Sequence, residues 1–225
     1  MSAFSARLLL GLVALSLGVA ACGTTYAQSS EPLTYVAIGA SDAVGIGATD
    51  PETDGWVPRL AAELGSDTRL VNLGVSGSTL GQALQEQLGP ALDAQPDVVT
   101  VWLAVNDFNA QVPLDTYAAQ LDSLLGQLDA THARVLVGNI PDLGVLAAYR
   151  GVDPAPLRAE IAQWNAVIAD TTARHGDTLV DLYGQWQQLS EHPEYVSADG
   201  FHPSDDGYQA LADVFAAAYQ ASAGA

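Results

Sequence analysis

From residue 33 onward the chain repeats one pattern: a short apolar run, a turn, a longer stretch with apolar residues at helical spacing, then another short apolar run. Runs at residues 35–38, 69–73, 98–103, 134–140 and 178–182 alternate with helical patterns. These begin near Asp54, where Val57, Leu60, Ala61 and Leu64 share a face, and recur at residues 79–88, 115–129, 156–175 and 205–219. Strands joined through helices must cross over, and crossovers are right-handed. The expected fold is therefore α/β, with a mostly parallel sheet covered by helices on both faces. No internal repeat breaks the alternation, and 225 residues that are 49% hydrophobic suffice for one domain with a sizeable core.

Such sheets place their ligands beyond the carboxyl ends of the strands. Three of the apolar runs end directly in turns of small residues: Gly39-Ala40-Ser41, Gly74-Val75-Ser76-Gly77-Ser78-Thr79, and Ala104-Val105-Asn106-Asp107. All three turns belong at one edge of the sheet, so Ser41 is expected to share a rim with the backbone of Gly74 and the side chain of Asn106. Little side-chain bulk surrounds Ser41, which suits a nucleophile that a substrate must approach closely. The same residues also suit an ordinary strand-to-helix turn in which a serine caps the helix. A second signal lies far downstream, in Asp199-Gly200-Phe201-His202-Pro203, where an acid precedes an imidazole by three positions. A neutral hydroxyl is a poor nucleophile until a base takes its proton, and a carboxylate orients that base and stabilises its cation. Pro203 biases His202 toward extended backbone, while Ser204, Asp205 and Asp206 fit the start of the last helix. Taken singly, His202 also fits a surface-loop histidine.

The remaining histidines point elsewhere. His132 and His175 each end a helical pattern, where carbonyls favour a cation, and are read as structural. His192, between Glu191 and Glu194, lacks a second His or Cys at ligand spacing and is read as part of a solvated loop, so no metal site is expected. Neither a Walker loop nor a Gly-x-Gly-x-x-Gly turn follows a strand, so no nucleotide or organic cofactor is expected. Twenty-six acidic residues stand against seven arginines and no lysine, a formal charge of −19. That balance excludes nucleic acid and anionic membrane surfaces as partners, because both are bound through clustered cations.

The amino terminus differs from the rest. Arg7 is the only charge before the apolar and small-residue run of residues 8–21, which is too short and wrongly flanked for a membrane span and suits a signal peptide. Val19-Ala20-Ala21-Cys22 resembles the lipobox of bacterial lipoproteins, and Cys22 is the only cysteine. The expected organisation is a signal peptide at 1–21, a lipidated Cys22, a flexible tether through residue 32, and one domain at 33–225. This places the protein outside the cytoplasm, in the cell envelope, held to the membrane through its lipid alone. The alternative is a plain secretory signal and a secreted protein.

Gly39-Ala40-Ser41, Gly74, Asn106-Asp107 and Asp199-Gly200-Phe201-His202 stand in an order that resembles the four blocks of the SGNH (GDSL-type) hydrolases, across nearly the whole mature chain. The resemblance implies that Ser41 is the nucleophile, that His202 and Asp199 complete its triad, and that the Ser41 and Gly74 amides with the Asn106 side chain form an oxyanion hole. It further implies a three-layer α/β/α sandwich on a parallel sheet of about five strands. Two departures stand out. The usual Gly-Asp-Ser-Leu is Gly39-Ala40-Ser41-Asp42, and the first Gly of Gly-x-Asn-Asp is Ala104. Neither removes a catalytic atom, and both lie at the mouth of the site. An α/β-hydrolase elbow does not fit, since Ala43 stands where its second glycine would be. The expected activity is hydrolysis of carboxylic esters, short-chain acyl or acetyl, on a small-molecule or glycan substrate and through an acyl-serine. The alternatives are a lysophospholipase or thioesterase of the same fold and a non-catalytic carbohydrate- or peptidoglycan-binding lipoprotein.

Overall fold

The computed structural model describes residues 32–186 and 191–222. The apolar run, Cys22 and nearly all of the expected tether lie outside these residues. Five strands form one sheet: β1 (Thr34–Gly39), β2 (Arg69–Asn72), β3 (Val98–Trp102), β4 (Arg134–Gly138) and β5 (Thr178–Val180). Their order is β2-β1-β3-β4-β5, and every pairing is parallel. The helices are α1 (Ser41–Val44), α2 (Pro51–Asp54), α3 (Trp56–Leu64), α4 (Leu80–Glu86), α5 (Leu88–Asp93), α6 (Ala104–Asn109), α7 (Leu114–Leu128), α8 (Pro154–His175), α9 (Leu182–Trp186) and α10 (Asp205–Ser222).

β1 and β3 are buried at every residue, as their unbroken apolar character requires of central parallel strands, whereas β2 and β5 form the partly exposed edges. The chain moves from β1 outward to β2 and then crosses back to β3 on the other side of β1. That reversal opens a crevice between the carboxyl ends of β1 and β3. α3 packs with α10, and α7 packs with α4 and α8. In the first group Trp56 stacks on Phe215, with centroids 4.3 Å apart, and meets the edge of Trp102 from β3 at 6.2 Å. In the second, Trp164 of α8 contacts Tyr117 at 4.8 Å and Phe108 at 5.6 Å. Such aromatic pairs each contribute about 0.5–1.5 kcal/mol beyond the area they bury. The three layers and the five-stranded parallel sheet are those expected from the alternation.

The helix boundaries depart from expectation in a consistent way. The helix expected from Asp54 is two helices broken at Gly55, which is extended with ψ 152°. Pro58 supplies the reason: it has no N–H to donate and fits only a first turn, so a new helix must begin just before it, at Trp56. The stretch expected as one helix over 79–88 divides at Gln87, and Pro90 sits in the first turn of α5. α8 likewise begins two residues before the expected start, with Pro154 and Pro156 in its first turn and the Asp153 side chain accepting from the Ala155 N–H at 3.1 Å. α1, α6 and α9, each six residues or fewer, are too short to show a helical period; the first two fall on expected turns, and α9 starts at Leu182, where the sequence predicts the end of a strand.

Candidate active site

β1 ends where its next residues must turn within very little space. A Cβ on Gly39 would lie 2.6 Å from the Ala43 Cβ, and one on Gly74 would lie 2.8 Å from the same atom and 3.1 Å from the Ala40 carbonyl. Glycine at both positions therefore lets β1, the turn after β2 and α1 converge. Ser41 opens α1 and is 6% exposed. Its backbone N–H, at the first helical position, has no intrahelical acceptor.

His202 arrives from a loop 161 residues away, and its Nε2 lies 3.0 Å from Ser41 Oγ. Its Nδ1 lies 2.7 Å from Asp199 Oδ2. With the Nδ1–H directed at the carboxylate, Nε2 is free to accept from the serine hydroxyl. The other Asp199 oxygen accepts from Ser197 Oγ at 2.9 Å, Phe201 N–H at 2.8 Å and His202 N–H at 2.9 Å. Burial pushes the Asp199 carboxyl up, but the bond to His202 and these three donors outweigh it and hold the group well below the usual carboxylate range. The loop is pinned on both sides of the histidine. Ser197 N–H donates to the His202 carbonyl at 2.8 Å, Ser204 N–H donates to the Tyr195 carbonyl at 2.9 Å, and Gly200 turns the chain at φ 76°.

Asn106 lies in the first turn of α6, beyond β3. One N–H of its Nδ2 donates to the Ser78 carbonyl at 2.9 Å, which fixes the amide and leaves the second N–H without an acceptor among the described residues. The Gly74 N–H is directed at Asn72 Oδ1 at 3.1 Å, while Asn72 Nδ2 donates to the Ala43 carbonyl at 2.6 Å. The loop after β2 is thus tied to the helix that carries Ser41. The Ser41 and Gly74 amides and the Asn106 side chain thus stand on the turns that follow β1, β2 and β3 at one edge of the sheet, with the Gly74 N–H engaged by Asn72.

Three residues have supporting roles that only the structure shows. Asn72 is one. Gln87 is another: it receives the Gly39 N–H at its Oε1 and donates from Nε2 to the Gly39 carbonyl, both at 3.0 Å, and to Ser78 Oγ at 3.2 Å. The third is Asp107, fully buried, which accepts the Leu80 N–H at 2.8 Å at the start of α4. Burial pushes its carboxyl up to about 6, against the lowering effect of that bond. Of these only Asp107, beside Asn106, carries a signal in the sequence; Gln87, the last of three glutamines within residues 82–87, carries none.

Asp42, the departure after the serine, is partly buried close to His202 and Asp199. Burial pushes its carboxyl up to about 6, opposed by the attraction of His202 and reinforced by the charge of Asp199. The other histidines are placed away from Ser41. His175 meets Asp129 at 3.0 Å and Asp122 at 3.2 Å, His132 closes a 3-10 turn with φ 58°, and His192 pairs with Glu194 at 2.8 Å and stacks on Tyr195.

A hydroxyl bonded to an imidazole, a carboxylate that orients that imidazole, and amide donors on the neighbouring turns are together suited to acyl transfer. Residues 37–210 match the family model described as GDSL-like Lipase/Acylhydrolase family. Among characterised proteins the chain is 29% identical over 162 residues to a GDSL-like esterase of Mycobacterium tuberculosis, covering 69% of this chain and 50% of that protein. It is 26% identical over 173 residues to an acetylxylan esterase of Geobacillus stearothermophilus, covering 72% and 75%. The chain thus spans half the length of the mycobacterial relative. Among solved structures, that of TesA superposes with a TM-score of 0.69 at 23% identity, covering 84% of this chain and 99% of that one, a likeness of fold. The family match over most of the chain, on a sheet whose switch point carries this constellation, identifies the chain as a member of the GDSL-like Lipase/Acylhydrolase family.

Proposed function

We propose that this protein is a serine hydrolase of short-chain acyl or acetyl esters, working through an acyl-Ser41 intermediate. The reading rests above all on the unbroken chain of hydrogen bonds from Ser41 Oγ through His202 to Asp199, assembled from residues 161 positions apart. Ser41 Oγ attacks the ester carbonyl as its proton passes to His202 Nε2. The carbonyl oxygen, now an oxyanion, is received by the Ser41 and Gly74 amides and the second Asn106 N–H. Collapse breaks the bond to the alcohol, which leaves with the proton from His202. Water then repeats the sequence on the acyl-enzyme and releases the acid. The likeness to an acetylxylan esterase favours small acyl groups on a sugar or another polyol.

The same proposal places the enzyme outside the cytoplasm, anchored by a lipid on Cys22, on the strength of the apolar run that ends at the only cysteine. Membrane partition of the wild type, abolished in Cys22→Ser, tests the anchor. An acyl-length series of chromogenic esters, run with and without a serine-directed phosphonate, tests the chemistry. Rates should be highest for the shortest chains, the phosphonate should label Ser41 stoichiometrically, and Ser41→Ala should lose both hydrolysis and labelling. Full activity in Ser41→Ala would refute the mechanism.

A further inference from the structure

Beside the triad lies a cavity of about 30 Å³, lined by Asp42, Trp102, Val105, Leu143, Leu146 and Phe201 among others. Its position ties it to the chemistry. Asp42 follows Ser41, Val105 precedes Asn106, and Phe201 precedes His202. The volume accommodates one or two water-sized groups, so it suits a short substituent rather than an extended chain.

The lining is apolar except for one carboxylate and one phenol, those of Asp42 and Tyr195. Among the described residues none donates a hydrogen bond to the Asp42 side chain apart from its own backbone N–H. The half-buried Asp42 therefore offers the cavity an acceptor that no other side chain has taken, and a donor on whatever enters the cavity can meet it. A neutral hydroxyl can do so in either protonation state of Asp42 and brings no second charge into apolar surroundings. A leucine or other aliphatic residue at this position would instead complete an apolar lining.

We propose that Asp42 is a specificity-determining residue that accepts a hydrogen bond from a hydroxyl of the substrate, so that the enzyme selects short, hydroxyl-bearing esters over their plain alkyl counterparts. This rests on the ester-hydrolase reading above. It accounts for an acid where the family pattern has a leucine, beside a nucleophile that does not use it for proton transfer.

The test measures kcat/KM with the full-length protein on two matched pairs. On the acyl side 4-nitrophenyl 3-hydroxybutyrate is compared with 4-nitrophenyl butyrate, and on the alcohol side glycerol monoacetate with propyl acetate. In the wild type the hydroxylated member should be favoured in one pair by roughly fivefold to fiftyfold, the range expected when a partly buried acceptor is left to water by the poorer substrate. The pair that shows the preference tells which end of the ester enters the cavity. In Asp42→Leu and in Asp42→Ala the preference should fall to about twofold or less, mainly through a higher value for the plain ester. The ratio is internal to each preparation, so a variant that folds incompletely still reports it. A wild-type ratio near one in both pairs overturns the proposal without any variant, and so does a preference that survives both substitutions. Hydrolysis of none of the four esters, with no phosphonate label on Ser41, is a different result and refutes the underlying activity.

Discussion

Asp199→Asn separates the orienting role of the carboxylate from its role in building the loop. In the wild type one oxygen, Oδ1, accepts from Ser197 Oγ, Phe201 N–H and His202 N–H, while Oδ2 meets His202 Nδ1 at 2.7 Å. Asparagine can keep its carbonyl oxygen toward the three donors, which puts its NH₂ against Nδ1. That nitrogen must then accept, the ring proton moves to Nε2, and Nε2 becomes a donor toward Ser41 Oγ at 3.0 Å instead of an acceptor. The base is therefore present in the wrong tautomer. Loss of turnover should approach about four orders of magnitude, the size seen when this tautomer is imposed on a serine triad. The stability cost should stay within about 1–2 kcal/mol, because three bonds lose charge assistance but remain made. Asp199→Ala differs in both: no NH₂ imposes the wrong tautomer, so the loss of turnover should be smaller than in Asp199→Asn, while all four bonds disappear and, with water replacing the acceptor at exposed donors, the stability cost should be roughly 1–3 kcal/mol. Single-turnover acylation with a chromogenic ester reads the first effect and urea denaturation the second. Asp199→Asn with native stability and more than a tenth of wild-type turnover would show that the carboxylate does not govern His202.

Asn106→Ala should lower kcat by about two to three orders of magnitude with little change in KM, as removal of one oxyanion donor does. Steady-state kinetics checks it, and a tenfold loss or less would take Asn106 out of the site. Gln87→Leu leaves the buried Gly39 N–H without its acceptor, two residues before Ser41. Unfolding free energy should drop by about 1–3 kcal/mol in urea titrations and kcat should fall more than KM rises. Away from the site, the pairing with Asp129, opposed by burial and reinforced by Asp122, raises the pKa of His175 above the ordinary imidazole value. A raised folded pKa means that the contribution is complete below the unfolded value and disappears as pH rises through the folded one. The Tm advantage of wild type over His175→Gln should accordingly shrink from pH 6 to pH 9, and a constant difference would refute the ion pair. Asp177, pushed up to about 7 by burial and by Asp129 against the lowering effect of His175, costs both proteins stability as pH rises from 4 toward 7, and loss of the His175 charge makes that cost larger in His175→Gln, which adds to the wild-type advantage at the acid end.

Much of this molecule follows from local pattern. Continuous apolar runs such as Val98–Trp102 can only be buried strands of a covered sheet, the helical spacing between them enforces crossovers, and crossovers enforce parallel order. The side chains that would carry the chemistry were also visible, since Ser41, Asn106 and the Asp199–His202 pair each follow directly on a strand end or precede a helix. Helix boundaries were less legible because a proline inside a helical pattern reads as an interruption. In space Pro58, Pro90 and Pro156 are each the mark of a first turn. What lay beyond the sequence is everything that depends on distant residues meeting. The pairing of Ser41 with His202 spans 161 positions, Gln87 grips Gly39 from 48 residues away, and Asn72 ties the second loop to α1. A hydrogen bond is decided by where two atoms stand within about half an ångström, and that position is set by the packing of the whole sheet and its helices. For the same reason the sequence shows an aspartate after the serine, while only the assembled structure makes it line a largely apolar cavity together with residues from three other segments of the chain.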